Sequence, residues 1–265
     1  LSARMESRTS FGNGTVYSAD HVDASYARFD FGESQPGYLT GNFEAYTVLD
    51  NGTLTFYYDL NREERSGTKF DLNTNATTPP AWSVFSEGIT KVVFDSTFVY
   101  ARPVVTYCWF NQMAYLTEIE GMEYLNTSEV TDMTSMFFGC SSLTDIDVSH
   151  FDTRKVSSMH SMFRNTKITS LDLGNFETWD VSLMGSMFQD CSSLQTIYVS
   201  DGWGTTSLTD DGGFMFNGCT SILGGQGTSY DAEHTDKAYA LIDGGMENPG
   251  YLTWSGVNKP FAYRM

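Results

Sequence analysis

Positive charge is scarce in this 265-residue chain. Fifteen Lys and Arg stand against 33 Asp and Glu, a formal net charge of -18 at pH 7. This argues against a nucleic-acid partner, because no cationic surface exists to release counterions from phosphates. It argues equally against binding an anionic membrane surface. Long apolar runs are missing too. None approaches the ~18–20 residues of a membrane helix, and the most apolar stretch, Val92 to Phe110, is broken by Asp95 and Arg102. No Cys-x-x-Cys or Cys/His pair has zinc spacing. Gly-x-Ser-x-Gly, His-Glu-x-x-His and the Gly-x-x-x-x-Gly-Lys phosphate loop are all absent. Asp211-Gly-Gly213 is not a phosphate loop either, since no Lys follows it. A non-enzyme with no cofactor and no metal is expected.

What remains is 40% hydrophobic, enough to bury a core in one or two domains. Twenty-four Gly and 15% aromatics, with only 6 Pro, suit strands and turns more than long helices. The chain starts at Leu1 with no signal peptide in view. It reads as a trimmed product of something longer, which is compatible with export.

A repeat is the main signal. Val130, Met133, Met136, Phe137, Cys140, Leu143, Ile146 and Val148 recur as Val156, Met159, Met162, Phe163, Thr166, Ile168, Leu171 and Leu173. They recur again as Val181, Met184, Met187, Phe188, Cys191, Leu194, Ile197 and Val199, and more weakly at Leu208, Met215, Phe216, Cys219 and Ile222. Val130, Val156 and Val181 are 26 and 25 residues apart; Leu116 and Leu143 are 27 apart. The stretch Val-x-x-Met-x-x-Met-Phe has apolar residues at i, i+3, i+6 and i+7, which predicts a short helical face. Leu-x-x-Ile-x-Val ends in the alternation of a strand. Such a unit cannot bury both faces alone, whereas stacked copies can. Residues 116–121, 143–148, 168–173 and 194–199 are therefore expected as adjacent parallel strands in that order.

The Met-x-x-Met-Phe-x-x-Cys-Ser-Ser-Leu string resembles the BspA-like leucine-rich-repeat family of bacterial surface proteins, common in Bacteroides-type anaerobes. The resemblance covers residues 44–253. It includes the lead-in Leu54-Thr-Phe-Tyr-Tyr-Asp59 and the closing segment from Gly224 to Thr253. The second repeat departs from it, with Thr166 for Cys and one residue missing before Ile168. The resemblance implies an α/β leucine-rich-repeat solenoid with a parallel sheet and short helices. A β-hairpin cap would precede it and an irregular cap follow it. It also implies non-catalytic, extracellular or cell-surface recognition of a host or bacterial protein or glycan. Fold alone does not fix what is bound.

The chain divides into an arm over 1–43, a β-rich N-terminal cap over 44–88, repeats over 89–223, and a C-terminal cap and tail over 224–265. Ala27–Phe31 alternates as a strand does. Asp50-Asn51-Gly52 joins two strands as a hairpin turn, and Asn61–Gly67 is a charged loop. Asp236–Leu241 is open between a helical turn and a strand. The arm and the tail 254–265 supply the alternative function: docking into a larger fibre, on a cell surface or a bacteriophage virion.

Cys140 and Cys191 are separated by the Thr166 rung, ~10 Å at ordinary strand spacing and beyond disulfide reach. Cys108, Cys140, Cys191 and Cys219 are expected as buried free thiols. His21, His150, His160 and His234 lie in no catalytic motif and read as surface residues. Asp210 and Asp211 suit capping better than calcium. Leu125, Phe151, Phe176 and Trp203 form a spine under a turn. The following Thr127, Thr153 and their neighbours satisfy turn amides. The outward residues between the apolar strand positions are the candidate ligand face: Glu118, Glu120, Asp145, Asp147, Ser170, Asp172, Thr196 and Tyr198, with Lys91 and Val93 at one end. This acidic stripe is either a solvated, mutually repelling face or a partner surface, with or without a bridging calcium ion.

Overall fold

A computed structural model describes residues 43–210 and 212–256. The arm over residues 1–43, including Ala27–Phe31 and His21, lies outside the described residues apart from Phe43. So do Asp211 and the tail beyond Gly256.

The chain enters on a hairpin, β1 (Glu44–Asp50) and β2 (Thr53–Asp59), paired antiparallel from Glu44↔Asp59 to Asp50↔Thr53. Its two-residue loop has Asn51 at φ 47° and Gly52 at φ 79°. Positive φ at both positions is the type I′ geometry that the right-handed twist of a hairpin requires. β3 (Thr68–Asp71) pairs antiparallel on β1, while β4 (Lys91–Phe94) and β5 (Glu118–Glu120) add in parallel beyond β2. This gives a mixed five-stranded sheet of order β3-β1-β2-β4-β5. A second sheet is parallel: β6 (Ser170–Leu173), β7 (Thr196–Val199) and β8 (Thr253–Trp254).

The expected α/β leucine-rich-repeat solenoid, with its single parallel sheet and short helices, is not what forms. The described residues are mostly β, carry two separate sheets of different topology, and contain helix only as 3-10 turns such as Ala81–Gly88 and Ser96–Tyr100. Two physical causes are visible. First, each Met-Phe segment contains two left-handed residues four apart: Cys108 and Gln112, Ser135 and Gly139, Ser161 and Asn165, Ser186 and Asp190, Phe214 and Gly218, at φ between 55° and 79°. A left-handed residue stops a right-handed helix. The segment is instead a run of three-residue turns, as in Met136 N–H to Met133 O and Cys140 N–H to Phe137 O. The apolar spacing of three that looked helical is the period of these turns.

Second, 143–148 forms no strand: Leu143 O accepts the Lys167 amide at 3.1 Å, but 144–148 join neither neighbouring ladder. Among the described residues no backbone hydrogen bond joins 144–148 to β5. The gap falls where Glu118 and Glu120 would face Asp145 and Asp147, four carboxylates on adjacent rungs. Like charges placed directly opposite destabilise pairing.

The repeats are joined instead through their turns. Alternate amides donate to the next repeat: Ser135 to His160 O at 2.9 Å, Phe137 to Met162 O at 2.9 Å, Gly139 to Arg164 O at 2.8 Å. The pattern is kept from 108–112 to 186–190, whose Phe188 and Asp190 donate to Met215 O and Asn217 O. Left-handed residues aim every second N–H along this direction. Buried threonines add a parallel ladder. The Thr127, Thr153 and Thr178 hydroxyls each donate to a carbonyl of the next repeat (Asp152, Glu177 and Gly204) and accept an amide from the same place. The turn amides near these threonines are thus satisfied, as the sequence leads one to expect.

Apolar side chains fill the interior. Phe110, Phe137, Phe163, Phe188 and Phe216 stack in file with centroids 5.4–6.0 Å apart, the two central pairs within 3° of parallel. Phe151 and Phe176 form a second stack at 6.4 Å. All four cysteines are free and buried. The Cys140, Cys191 and Cys219 thiols donate to Phe110 O, Phe163 O and Phe188 O. His150 is half-buried rather than superficial, its ring edge-on to Phe151 at 5.0 Å, and burial holds its pKa below the ordinary value.

The C-terminal segment is tied by one carboxylate. Asp243 accepts the Gln226 amide (2.7 Å), the Thr228 amide (3.0 Å) and hydroxyl (2.7 Å), and the Gly245 amide (2.9 Å). Residues 236–241, left open by sequence, form a 3-10 turn at Lys237–Tyr239 capped by Asp236. They then run beside Tyr251 and Leu252.

Three outcomes are expected. Met162→Ala should cost ~2–4 kcal/mol in urea titration, as a buried large-to-small change does. Thr153→Val, nearly isosteric, should still cost ~1–3 kcal/mol because the Glu177 amide and carbonyl are left unpaired. Burial pushes the Asp243 carboxyl up, but the Thr228 amide and hydroxyl and the Gly245 and Gln226 amides outweigh it and hold it at about 2. A depressed folded pKa gives stability that is present above the ordinary value of 3.8 and lost as pH falls toward about 2. Asp243→Asn should flatten the acid limb of a thermal-melt pH series across that window.

Candidate functional site

The outward strand face is built by alternation. In β6 and β7, Leu171, Leu173, Ile197 and Val199 point into the core, so Ser170, Asp172, Thr196 and Tyr198 point out. Pairing puts Ser170 beside Thr196 and Asp172 beside Tyr198. Glu118 and Glu120 occupy the equivalent positions of β5, and Asp145 and Asp147 those of the unpaired 144–148 segment. Glu118, Glu120, Asp145, Asp147, Ser170, Asp172 and Tyr198 are exposed and Thr196 is half-buried. The inside and outside assignments thus agree with the sequence reading. One continuous hydrogen-bonded sheet beneath them does not exist.

The face is less uniformly anionic than its composition. Lys91, one rung before Glu118, reaches Glu118 at 3.2 Å and Glu120 at 2.5 Å. Its hydrogen bond holds the Glu120 carboxyl below the ordinary value. Asp147 accepts the Ser149 hydroxyl (2.6 Å) and amide (2.9 Å), which lower its pKa as well. Asp172 accepts the Gly174 amide at 2.8 Å. Asp145 makes no ion pair among the described residues. No group of three or more His, Cys, Asp or Glu among the described residues is placed to hold a metal ion.

The face continues where sequence reasoning did not look. Thr53 and Thr55 of β2 stand in register with Lys91 and Val93 of β4. With Tyr57 they floor a cleft of about 670 Å³ whose opposite wall is the loop over 61–66. Arg65 fixes that wall. Its Nε donates to the Tyr46 hydroxyl at 2.7 Å, its Nη2 pairs with Asp59, and its guanidinium lies 3.5 Å over the Tyr57 ring. The Tyr46 hydroxyl in turn donates to Asp59 at 2.7 Å. Burial and that hydrogen bond raise the Tyr46 pKa to about 12. Burial opposes ionisation of Asp59, but Tyr46, Asn61 and Arg65 prevail and keep it below the ordinary value. The available sequence signal was the charged loop directly after a hairpin. Its basic residues hold it to β1, β2 and β3, because Arg62 also pairs with Glu44 and Asp71.

Asp210 accepts the Gly185 amide at 2.8 Å and the Gly212 amide at 3.3 Å, a capping role across repeats. His160 is exposed, and His234 contacts Asp231 at 2.8 Å. Burial raises the pKa of all four thiols, the opposite of what an activated nucleophile requires. No helix among the described residues is long and apolar enough to cross a membrane.

Residues 107–226 match the model of a family described as Mycoplasma protein of unknown function, DUF285. Among solved structures, a leucine-rich repeat protein from Bacteroides ovatus is similar at 16% identity and a TM-score of 0.35. The match covers 67% of this chain and 44% of that one. No curated protein matches.

Neutralising the clamp on the face has a readable effect. In Lys91→Met the Glu120 carboxyl should titrate closer to the ordinary glutamate value than in the parent, followed by side-chain carbonyl NMR. An unchanged Glu120 titration would mean that the pair is not populated in solution.

Proposed function

We propose that this chain is a non-catalytic recognition module of a bacterial cell surface, of the BspA-like kind, and that it binds its partner through the outward strand face. The observation that carries the reading is the line of exposed side chains from Glu118 to Tyr198, which the fold keeps out of its own core. Its sign suits a partner with a cationic patch. Carboxylates on a chain of net charge -18 steer such a partner in over long range. Tyr198 at the far end offers an exposed aromatic anchor of the type that slows dissociation.

Surface plasmon resonance against an immobilised decalysine peptide tests the steering. Glu120→Gln/Asp147→Asn/Asp172→Asn should associate more slowly than the parent, with a weaker salt dependence. Glu123→Gln/Glu233→Gln/Glu247→Gln carries the same change in net charge away from the stripe and should change the rate much less. Tyr198→Ala should mainly speed dissociation. Deleting residues 1–42 separates this reading from assembly through the arm, and should leave the kinetics as they are. Equal slowing in both triple variants would mean that net charge, not this face, sets the encounter.

A further inference from the structure

We infer that the cleft between β2 and the 61–66 loop is a binding site for a neutral sugar residue of a glycan. The inference does not rest on the strand-face reading. The cavity, about 670 Å³, falls in the range of small-molecule sites. Its lining selects the ligand class by elimination. Asp50 and Glu64 are exposed carboxylates with no ion pair among the described residues, so an anion entering the cleft meets two like charges. A cation is drawn to the two carboxylates but leaves the Arg65 guanidinium, whose charge Asp59 already balances, with nothing to donate to. An apolar ligand would desolvate these carboxylates and the hydroxyls of Thr53 and Thr55 without pairing them, which is costly. A neutral polyol fits all of them, because each of its hydroxyls both donates and accepts.

The donor side is already positioned. Arg65 spends Nε on Tyr46 and Nη2 on Asp59, while Nη1 has no hydrogen-bond acceptor among the described residues. A carboxylate can take two adjacent hydroxyls of a sugar ring at once, and Asp50 and Glu64 in the lining offer two such acceptors. Arg65 fastens the loop to the hairpin through three contacts, so the wall is formed before any ligand arrives, and preorganisation lowers the cost of binding.

The test is saturation-transfer-difference NMR on the whole chain. The neutral probes are the methyl α-glycosides of glucose, galactose, mannose and N-acetylglucosamine. N-acetylneuraminic acid is the anionic probe and spermidine the cationic one. At least one neutral glycoside should saturate the protein with a Kd on the order of 1 mM. Asp50→Asn/Glu64→Gln, two exposed positions, should weaken it about tenfold, the size expected for losing hydrogen bonds to charged acceptors. Glu120→Gln/Asp147→Asn/Asp172→Asn should leave it unchanged. The proposal is overturned if no neutral glycoside saturates, or if only spermidine or only N-acetylneuraminic acid does. It is equally overturned if Asp50→Asn/Glu64→Gln binds as the parent does, or if the loss appears in the strand-face variant instead.

Discussion

The structure depends on one direction of hydrogen bonding. From 108–112 onward, alternate amides of each Met-Phe turn donate to carbonyls of the next turn, and the hydroxyls of Thr127, Thr153 and Thr178 repeat the same connection on another side. A ladder of this kind has two unsatisfied ends, carbonyls at the first repeat and amides at the last. Buried polar groups left unpaired cost about 1–3 kcal/mol each, so both ends need closure. At the first, Asn73 donates to Tyr107 O at 3.1 Å and the Trp82 indole to Trp109 O at 2.7 Å. At the last, the Phe216 amide finds Thr235 O at 2.8 Å and the Gly218 amide finds the Tyr230 hydroxyl at 3.2 Å. The segments before and after the repeats are thus chemically matched to the ends that they cover.

The aromatic file follows from that ladder. Turns held at hydrogen-bond distance place equivalent side chains one above another, and Phe137, Phe163 and Phe188 have no choice but to stack face to face. The file is closed by rings of other orientation. Phe56, Phe94 and Trp109 meet Phe110 edge-on at one end, and Tyr251 meets Phe216 edge-on at the other. Edge-to-face contact ends a stack without leaving an open ring face to water.

The strand face sits where the core has no need of the side chains. The outward strand positions contribute nothing to the core, so they can be acidic even at the cost of one strand pairing. The unpaired 144–148 segment is that cost made visible, whereas Lys91 keeps β5 within the first sheet by neutralising Glu118 and Glu120. The cleft is different in kind. Its floor is sheet and its wall is loop, joined by the stacked guanidinium of Arg65.

The amino-acid sequence by itself determined the repeat, its 25–27-residue period, the hairpin at Asn51-Gly52, and which residues are inside. Met133, Met136, Met159, Met162, Met184 and Met187 are all fully buried, and the acidic stripe is exposed. These features are local or periodic, and burial follows apolar periodicity whatever the backbone does in detail. The backbone path and the sheet boundaries were decided only by the tertiary structure. Residues at i, i+3 and i+6 fit an α-helix and a run of three-residue turns alike; the amides that Ser135, Ser161 and Ser186 direct to the next repeat select the turns. Whether Asp145 and Asp147 pair with β5 depends on charges 25 or more residues away. The cleft required Tyr46, Asp59 and Arg65 to meet across a hairpin and a loop, and no spacing in the chain encodes that contact.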